Sequence, residues 1–235
     1  MRVAFIVLLF TLFLQAQTLR IAAAANLSFV MQDIVKSFEQ SYPDIDVQVI
    51  TGSSGKLTAQ IKRGAPFDIF CSADMRYPDE LYKSGLTYTR PLVYAKGALV
   101  LVGKNIHTLK DLQKCQKIAI ANPKTAPYGL AAKEALEHMG VYEKLKRRFI
   151  YGESIAQTTA YTIKVADCGF IAKSALQAKP LQQLHAIDID PKLYTPIEQG
   201  IVILRNNSAA RAFFAYIFSK DAAKIFQKYG YIIDD

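Results

Sequence analysis

Apolar and polar positions settle into a repeating order after residue 16. "LRIAAAANL" is an apolar run ending in small residues, which predicts a strand, and "LSFVMQDIVKSFEQSYP" then spaces Phe29, Val30, Ile34, Val35 and Phe38 as one buried helix face. Asn26 or Ser28 is expected to cap that helix and Pro43 to close it. "IDVQVITG" alternates as a strand does, and "SSGKLTAQIKRGAP" predicts a second helix starting at the serines. "FDIFCSAD" is apolar enough for a strand buried on both faces, and "MRYPDELYKSG" predicts a third helix stopped by Gly85. Strand, helix, strand, helix, strand is the order of an open parallel sheet, in which ligands meet the carboxyl ends of the strands. "AAAN", "TGSS" and "SAD" all fall at such ends.

The pattern then starts again. "PLVYAKGALVLVGK" is extended, with its apolar run over residues 98–102, and "KIAIANPKTAPYGLAAKEALEHMG" repeats strand, small polar loop and helix, with Gly140 as the stop. "RRFIYGESIAQTTAYTIK" and "ADCGFIAKSAL" each give a strand and a helix, "YTPIEQGIVIL" is extended, and residues 208–231 predict two helices. No Ser/Gly-rich linker separates the halves. The expectation is an α/β protein of two lobes, each a mainly parallel sheet flanked by helices, with a ligand cleft between them. Lobe 1 comprises residues 17–94 with 196–235 returning to it, and lobe 2 residues 95–195.

The first 16 residues stand apart. A positive start, a 12-residue apolar stretch over residues 3–14 and a small residue at Ala16 predict an export signal cleaved near Ala16, shorter than the roughly 20 apolar residues that span a bilayer. No cysteine follows the stretch directly, so a lipid anchor is not expected. Export bears on the three cysteines: Cys71 reads as an inert core residue, while Cys115 and Cys168 could pair, which spacing alone leaves open. The formal charge of +9 raises a nucleic-acid partner. The lysines are dispersed, however, with one cluster at residues 144–148 and no basic stripe interleaved with aromatics, so no nucleic acid is expected. A basic surface would instead concentrate small anions.

"TGSSGKL", residues 51–57, tempts two catalytic readings, and spacing removes both. A phosphate-binding P-loop needs Gly where Ile50 stands and Ser or Thr where Leu57 stands; a nucleophile elbow needs one more residue between Gly52 and Gly55. His107, His138 and His185 form no triad pattern, and no metal-ligand spacing occurs, so no cation site is expected. What remains is a set of helix starts beside strand ends, where free N–H groups and serine hydroxyls suit an anion. From the local pattern, Ser53 and Ser54 serve equally well as simple helix caps, and the same holds for Asn26 and Ser154.

"AAAANL", "GSSGKLTAQIKRGAPFDIFCSAD", "IAIANPKTAPYGLAAKEAL" and "AAKIFQKYGY", in that order over essentially the whole chain after the signal, resemble the periplasmic molybdate-binding component of ABC transporters. The resemblance implies a type II periplasmic binding fold that closes on molybdate or tungstate, with no cofactor and no catalysis, and an inner-membrane ABC permease as partner. A monomer is expected. By position it implies that Asn26, where many members have serine, donates through its amide, that Ser54 donates a hydroxyl with Ser53 beside it, and that Ile155 offers a backbone N–H, with Ser154 secondary. Many members place a ligand tyrosine where this chain has Ala172, and Tyr128 is expected to supply the phenol instead. Lys56 is expected to point to solvent. Binding of sulfate, phosphate or another small solute stays open, as does an exported enzyme of another type.

Overall fold

The computed structural model describes residues 17–234; the expected export signal lies outside the described residues. Strands β1 (Gln17–Ala24), β2 (Ile45–Gly52), β3 (Ile69–Ser72), β4 (Leu92–Gly97) and, from far along the chain, β10 (Ile197–Ile203) form one sheet in the order β2-β1-β3-β10-β4. Strands β5 (Leu99–Gly103), β6 (Ile118–Ala121), β7 (Phe149–Gly152), β8 (Cys168–Ala172) and β9 (His185–Asp188) form a second in the order β7-β6-β8-β5-β9. Both sheets are mixed. β1 runs parallel to β2 and β3, and β6 parallel to β7 and β8. The crossing strands β10 and β5 pair antiparallel with both their neighbours, because neither is delivered by a helical crossover that would turn it round. The chain first passes between the sheets at Ala98 and returns between Asp188 and Ile197.

Alternation along the strands explains the layers. Leu19, Ile21 and Ala23 face one side with Ile69, Cys71, Ile201 and Ile203, and bury the apolar faces of α1 (Val30–Ser41), α7 (Ser208–Ile217) and α8 (Lys220–Lys228). Ala22, Phe70 and Val202 face the other side, against Leu57 and Ile61 of α2 (Ser54–Lys62) and Tyr77 and Leu81 of α3 (Arg76–Lys83). In the second sheet Leu99, Leu101, Ile118, Ile120 and Phe170 pack with α4 (Pro127–His138) and with Leu145 of the short α5 (Tyr142–Leu145). On the opposite face of that sheet Val100, Val102 and Ile171 meet Ala175 and Leu181. Helix α6 (Ile155–Lys164) turns its buried Thr158, Thr159 and Thr162 inward, and Gly169 admits Thr162, whose Oγ1 lies 2.0 Å from where a Cβ would stand.

The start of α1 differs from expectation. Residues Ala25–Ser28 form a 3-10 turn that runs on through Phe29, itself in the helical region, so no extended cap position exists for a side chain to use. Ser28 Oγ donates to the Ala25 carbonyl over 2.8 Å, and Asn26 is engaged elsewhere. Cys115 and Cys168 are joined as a disulfide with Cα atoms 6.2 Å apart, tying the entry of β6 to the start of β8. Cys71 is free and fully buried, and burial pushes its thiol far above its ordinary value, which leaves it unreactive.

Candidate functional site

Five strand ends converge on one small cavity. Ala24 closes β1 and leads to Ala25 and Asn26; Gly52 closes β2 and leads to Ser53 and Ser54; Ala73 follows β3; Ala126, Pro127 and Tyr128 follow β6; Ile155 follows β7. These ten residues line the cavity, whose volume open to a water-sized sphere is about 10 Å³. That is below the roughly 300 Å³ at which pockets for organic ligands begin. None of the ten carries a charge. Three of them open helices of nine residues or more: Ser54 for α2, Pro127 for α4 and Ile155 for α6. Each of these ends presents N–H groups without intrahelical acceptors and the positive end of a helix dipole.

The serines resolve the choice between capping and presenting a hydroxyl. Ser53 stands at the cap position of α2 yet makes no side-chain cap bond; its Oγ is buried without any hydrogen-bond partner. Ser54 Oγ accepts the Ala73 N–H over 3.0 Å, which occupies one of its two lone pairs and leaves its hydrogen free to donate. Ser54 is fully buried. Ser154 behaves in the other way: its Oγ accepts the Gln157 N–H over 3.3 Å as the cap of α6, and it does not line the cavity. Ile155, the first residue of α6, lines the cavity beside it.

Tyr128 is buried at the second position of α4. Its hydroxyl fits because residue 97 is glycine: a Cβ there would stand 2.1 Å from the Tyr128 oxygen. Burial raises the phenol well above its ordinary value, with Asn26 and Tyr231 nearby, so it stays protonated and able to donate. Ala172 ends β8 in the core and does not line the cavity.

Asn26 lines the cavity, but its amide is used differently from expectation. Nδ2 donates to Gln199 Oε1 over 2.8 Å and to the Tyr231 hydroxyl over 2.8 Å, which uses both its hydrogens, while Oδ1 is buried without a partner. The orientation is fixed from behind. Gln199 Nε2 donates to the carbonyls of Ile197 over 3.1 Å and Ala73 over 3.4 Å, leaving Oε1 to face Asn26. Turning the Asn26 amide round would set two oxygens against each other. Any N–H that Asn26 offers to a ligand therefore comes from its main chain. Gln199, Tyr231 and Ser174, which donates to the Asn26 carbonyl over 2.9 Å, were not expected to touch the site. The signal for Gln199 was available in "IEQGIVIL", where a polar residue and a glycine interrupt an apolar strand; a register shift falls between Gln199 and Gly200.

Contacts across the two halves cover the cavity. The Gly55 N–H donates to the Thr125 carbonyl over 3.0 Å, and the Tyr77 hydroxyl donates to the Lys124 carbonyl over 3.4 Å. Lys56, expected to point to solvent, is exposed and forms an ion pair there with the likewise exposed Glu153 from the other half. A larger crevice of about 300 Å³ adjoins the cavity at Ala73 and Pro127, but it carries Asp74, Glu134 and Glu198 against the single Arg76, a poor setting for an anion. Among the described residues no group of three or more His, Cys, Asp or Glu is placed to hold a metal ion, and no helix is long and apolar enough to cross a membrane.

Known proteins resemble the chain in both sequence and fold. The family model for bacterial extracellular solute-binding proteins matches residues 19–232. The chain is 36% identical over 231 residues to the molybdate-binding protein ModA of Azotobacter vinelandii, covering 92% of this chain and 90% of that one. It is 30% identical to ModA of Escherichia coli, covering 90% and 87%. In structure it superposes on the periplasmic molybdate-binding protein of Azotobacter vinelandii with a TM-score of 0.86, at 29% identity over 92% of this chain and all of that one. The sulfate-binding protein SubI of Mycobacterium tuberculosis shares the fold, with a TM-score of 0.77 at 16% identity.

Proposed function

Because the chain belongs to the bacterial extracellular solute-binding proteins, a family of binding proteins and not of enzymes, we propose that it is the periplasmic component of an ABC importer that captures molybdate, and tungstate with it. The ligand sits in the cavity at the strand ends, held by neutral donors: the hydroxyls of Ser54, Ser53 and Tyr128 and the main-chain N–H groups of Asn26 and Ile155. The two lobes, divided near residues 94/95 and 195/196, close over it and present it to an inner-membrane permease. The protein acts as a monomer.

The observation that carries this reading is the pair of serines at the start of α2, one hydroxyl buried without a partner and the other accepting one N–H with its own hydrogen free to donate, in a wall without charge. Neutral donors hold a dianion reversibly, since hydrogen bonds to a charged group contribute roughly 1.5–3 kcal/mol each. They also discriminate by size. An ion with shorter bonds to oxygen leaves some donors unmet, at about 1–3 kcal/mol for each.

Competition binding tests the reading. Molybdate and tungstate displace each other at similar concentrations, and sulfate and phosphate fail to displace either. Displacement of molybdate by sulfate at equal concentration overturns it in favour of a general oxyanion carrier.

A further inference from the structure

Asn26 is a junction. Its main-chain carbonyl accepts from Ser174 Oγ over 2.9 Å and from the Tyr231 hydroxyl over 3.1 Å, while its amide donates to Tyr231 and Gln199 over 2.8 Å each. All four residues are buried, and of the four only Asn26 lines the cavity.

The partners come from the places where the chain passes between the sheets. Ser174 follows β8, and the N–H of its neighbour Lys173 donates over 2.9 Å to the carbonyl of Ala98, the residue of the first passage. Gln199 lies at the start of β10, just after the return passage. Tyr231 sits in the tail beyond α8, where Ile232 exchanges both backbone hydrogen bonds with Lys96 of β4, at 2.7 and 2.9 Å. Each segment whose geometry must change when the halves rotate thus sends one side chain to the same residue at the edge of the cavity.

We propose that Ser174, Tyr231 and Gln199 are positioning residues for the oxyanion cavity, which set the aim of Asn26 and tie it to the geometry of the crossing segments. This rests on the reading of the cavity as an oxyanion site. The Tyr231 hydroxyl clamps side chain and main chain of Asn26 at once, and Ser174 brings the second sheet's half to the same carbonyl. Stability alone is a poor account of the network. Apolar side chains could fill the same space, and a network kept only for stability would not leave Asn26 Oδ1 unmet.

The test is calorimetric titration of wild type, Tyr231→Phe, Ser174→Ala and the double variant with sodium molybdate, beside the melting temperature of each without ligand. Each single substitution deletes one hydroxyl and is expected to weaken binding roughly tenfold, through faster dissociation with association little changed. The double variant is expected to lose less than the product of the two single losses, because both act on one carbonyl. Binding within twofold of wild type in both single variants, with or without a lower melting temperature, overturns the proposal, as does a double loss equal to the product. Should Tyr231→Phe not fold, Ser174→Ala alone decides by the same criterion. If wild type itself binds no molybdate, the oxyanion reading falls and this proposal falls with it; wild-type binding with unaltered variants removes this proposal alone.

Discussion

The Ala73 N–H reaches across from the end of β3 to Ser54 Oγ over 3.0 Å, and this one contact converts a helix-start serine into a hydroxyl with a committed direction. Ser54→Ala removes the donor and leaves the buried Ala73 N–H without its partner. The expected loss of molybdate affinity is about 1.5–3 kcal/mol, or roughly 10- to 100-fold in Kd by calorimetry. Ser154→Ala is the contrast, since that hydroxyl caps α6 outside the cavity. It is expected to cost about 1 kcal/mol of stability in denaturant melts and to leave affinity within a few-fold.

Tyr128→Phe tests the phenol directly. The expected loss is roughly tenfold in affinity, from one hydrogen bond to a charged ligand. Because burial raises the Tyr128 phenol above its ordinary value near 10, the unfolded chain loses this proton first. Its contribution to stability is therefore full below about pH 10 and lost as pH rises further. Affinity, in contrast, is expected to stay level through pH 10 wherever the protein remains folded. A fall in affinity centred at the ordinary tyrosine value, in titrations between pH 7 and 10.5, would show that the phenol is not held as the structure places it.

Gly55 and Thr125 come together where the halves meet. A Cβ on residue 55 would lie 2.6 Å from the Tyr77 hydroxyl and 3.1 Å from the Thr125 carbonyl oxygen. Gly55→Ala is therefore expected to disfavour the closed form by about 1–3 kcal/mol, lowering affinity roughly 5- to 150-fold. Small-angle scattering provides the second measurement: wild type is expected to compact on addition of molybdate, and that compaction is expected to shrink or vanish in this variant.

The disulfide closes a loop with a sequence separation of 53, for which chain entropy gives about 4 kcal/mol of stabilisation. Replacing Cys115 and Cys168 by serine is expected to lower the melting temperature by on the order of 10 °C. Neither cysteine lines the cavity, so molybdate affinity is expected to be kept at temperatures well below the transition.

Much of this architecture is written in local pattern. The strand ends "AAAN", "TGSS" and "SAD", the helix starts after them and the stops at Gly85 and Gly140, whose φ angles of 69° and 67° suit glycine, are all short-range signals. They brought Asn26, Ser53 and Ser54 to notice, while Tyr128 and Ile155 came only from the resemblance to the molybdate-binding family, and the structure gathers all five around one cavity. What local pattern lacks is partnership across long separations. Gln199 is 173 positions from Asn26 and Tyr231 is 205, so nothing around residue 26 reports that its amide is already engaged. The same limit hid the ion pair of Lys56 with Glu153, 97 positions away, and the mixed character of the sheets, since a strand reads alike whichever way its neighbour runs. Ser53 and Ser154 show the limit most sharply. Both precede a helix in the sequence, and only the hydrogen-bond partner separates the open hydroxyl from the cap.

Titrating the purified protein with molybdate in a calorimeter, beside tungstate and sulfate, tests the central claim most directly. The account predicts saturable binding of one molybdate or one tungstate per chain, with no heat of binding from sulfate at the same concentrations. Absence of binding by both molybdate and tungstate would contradict it.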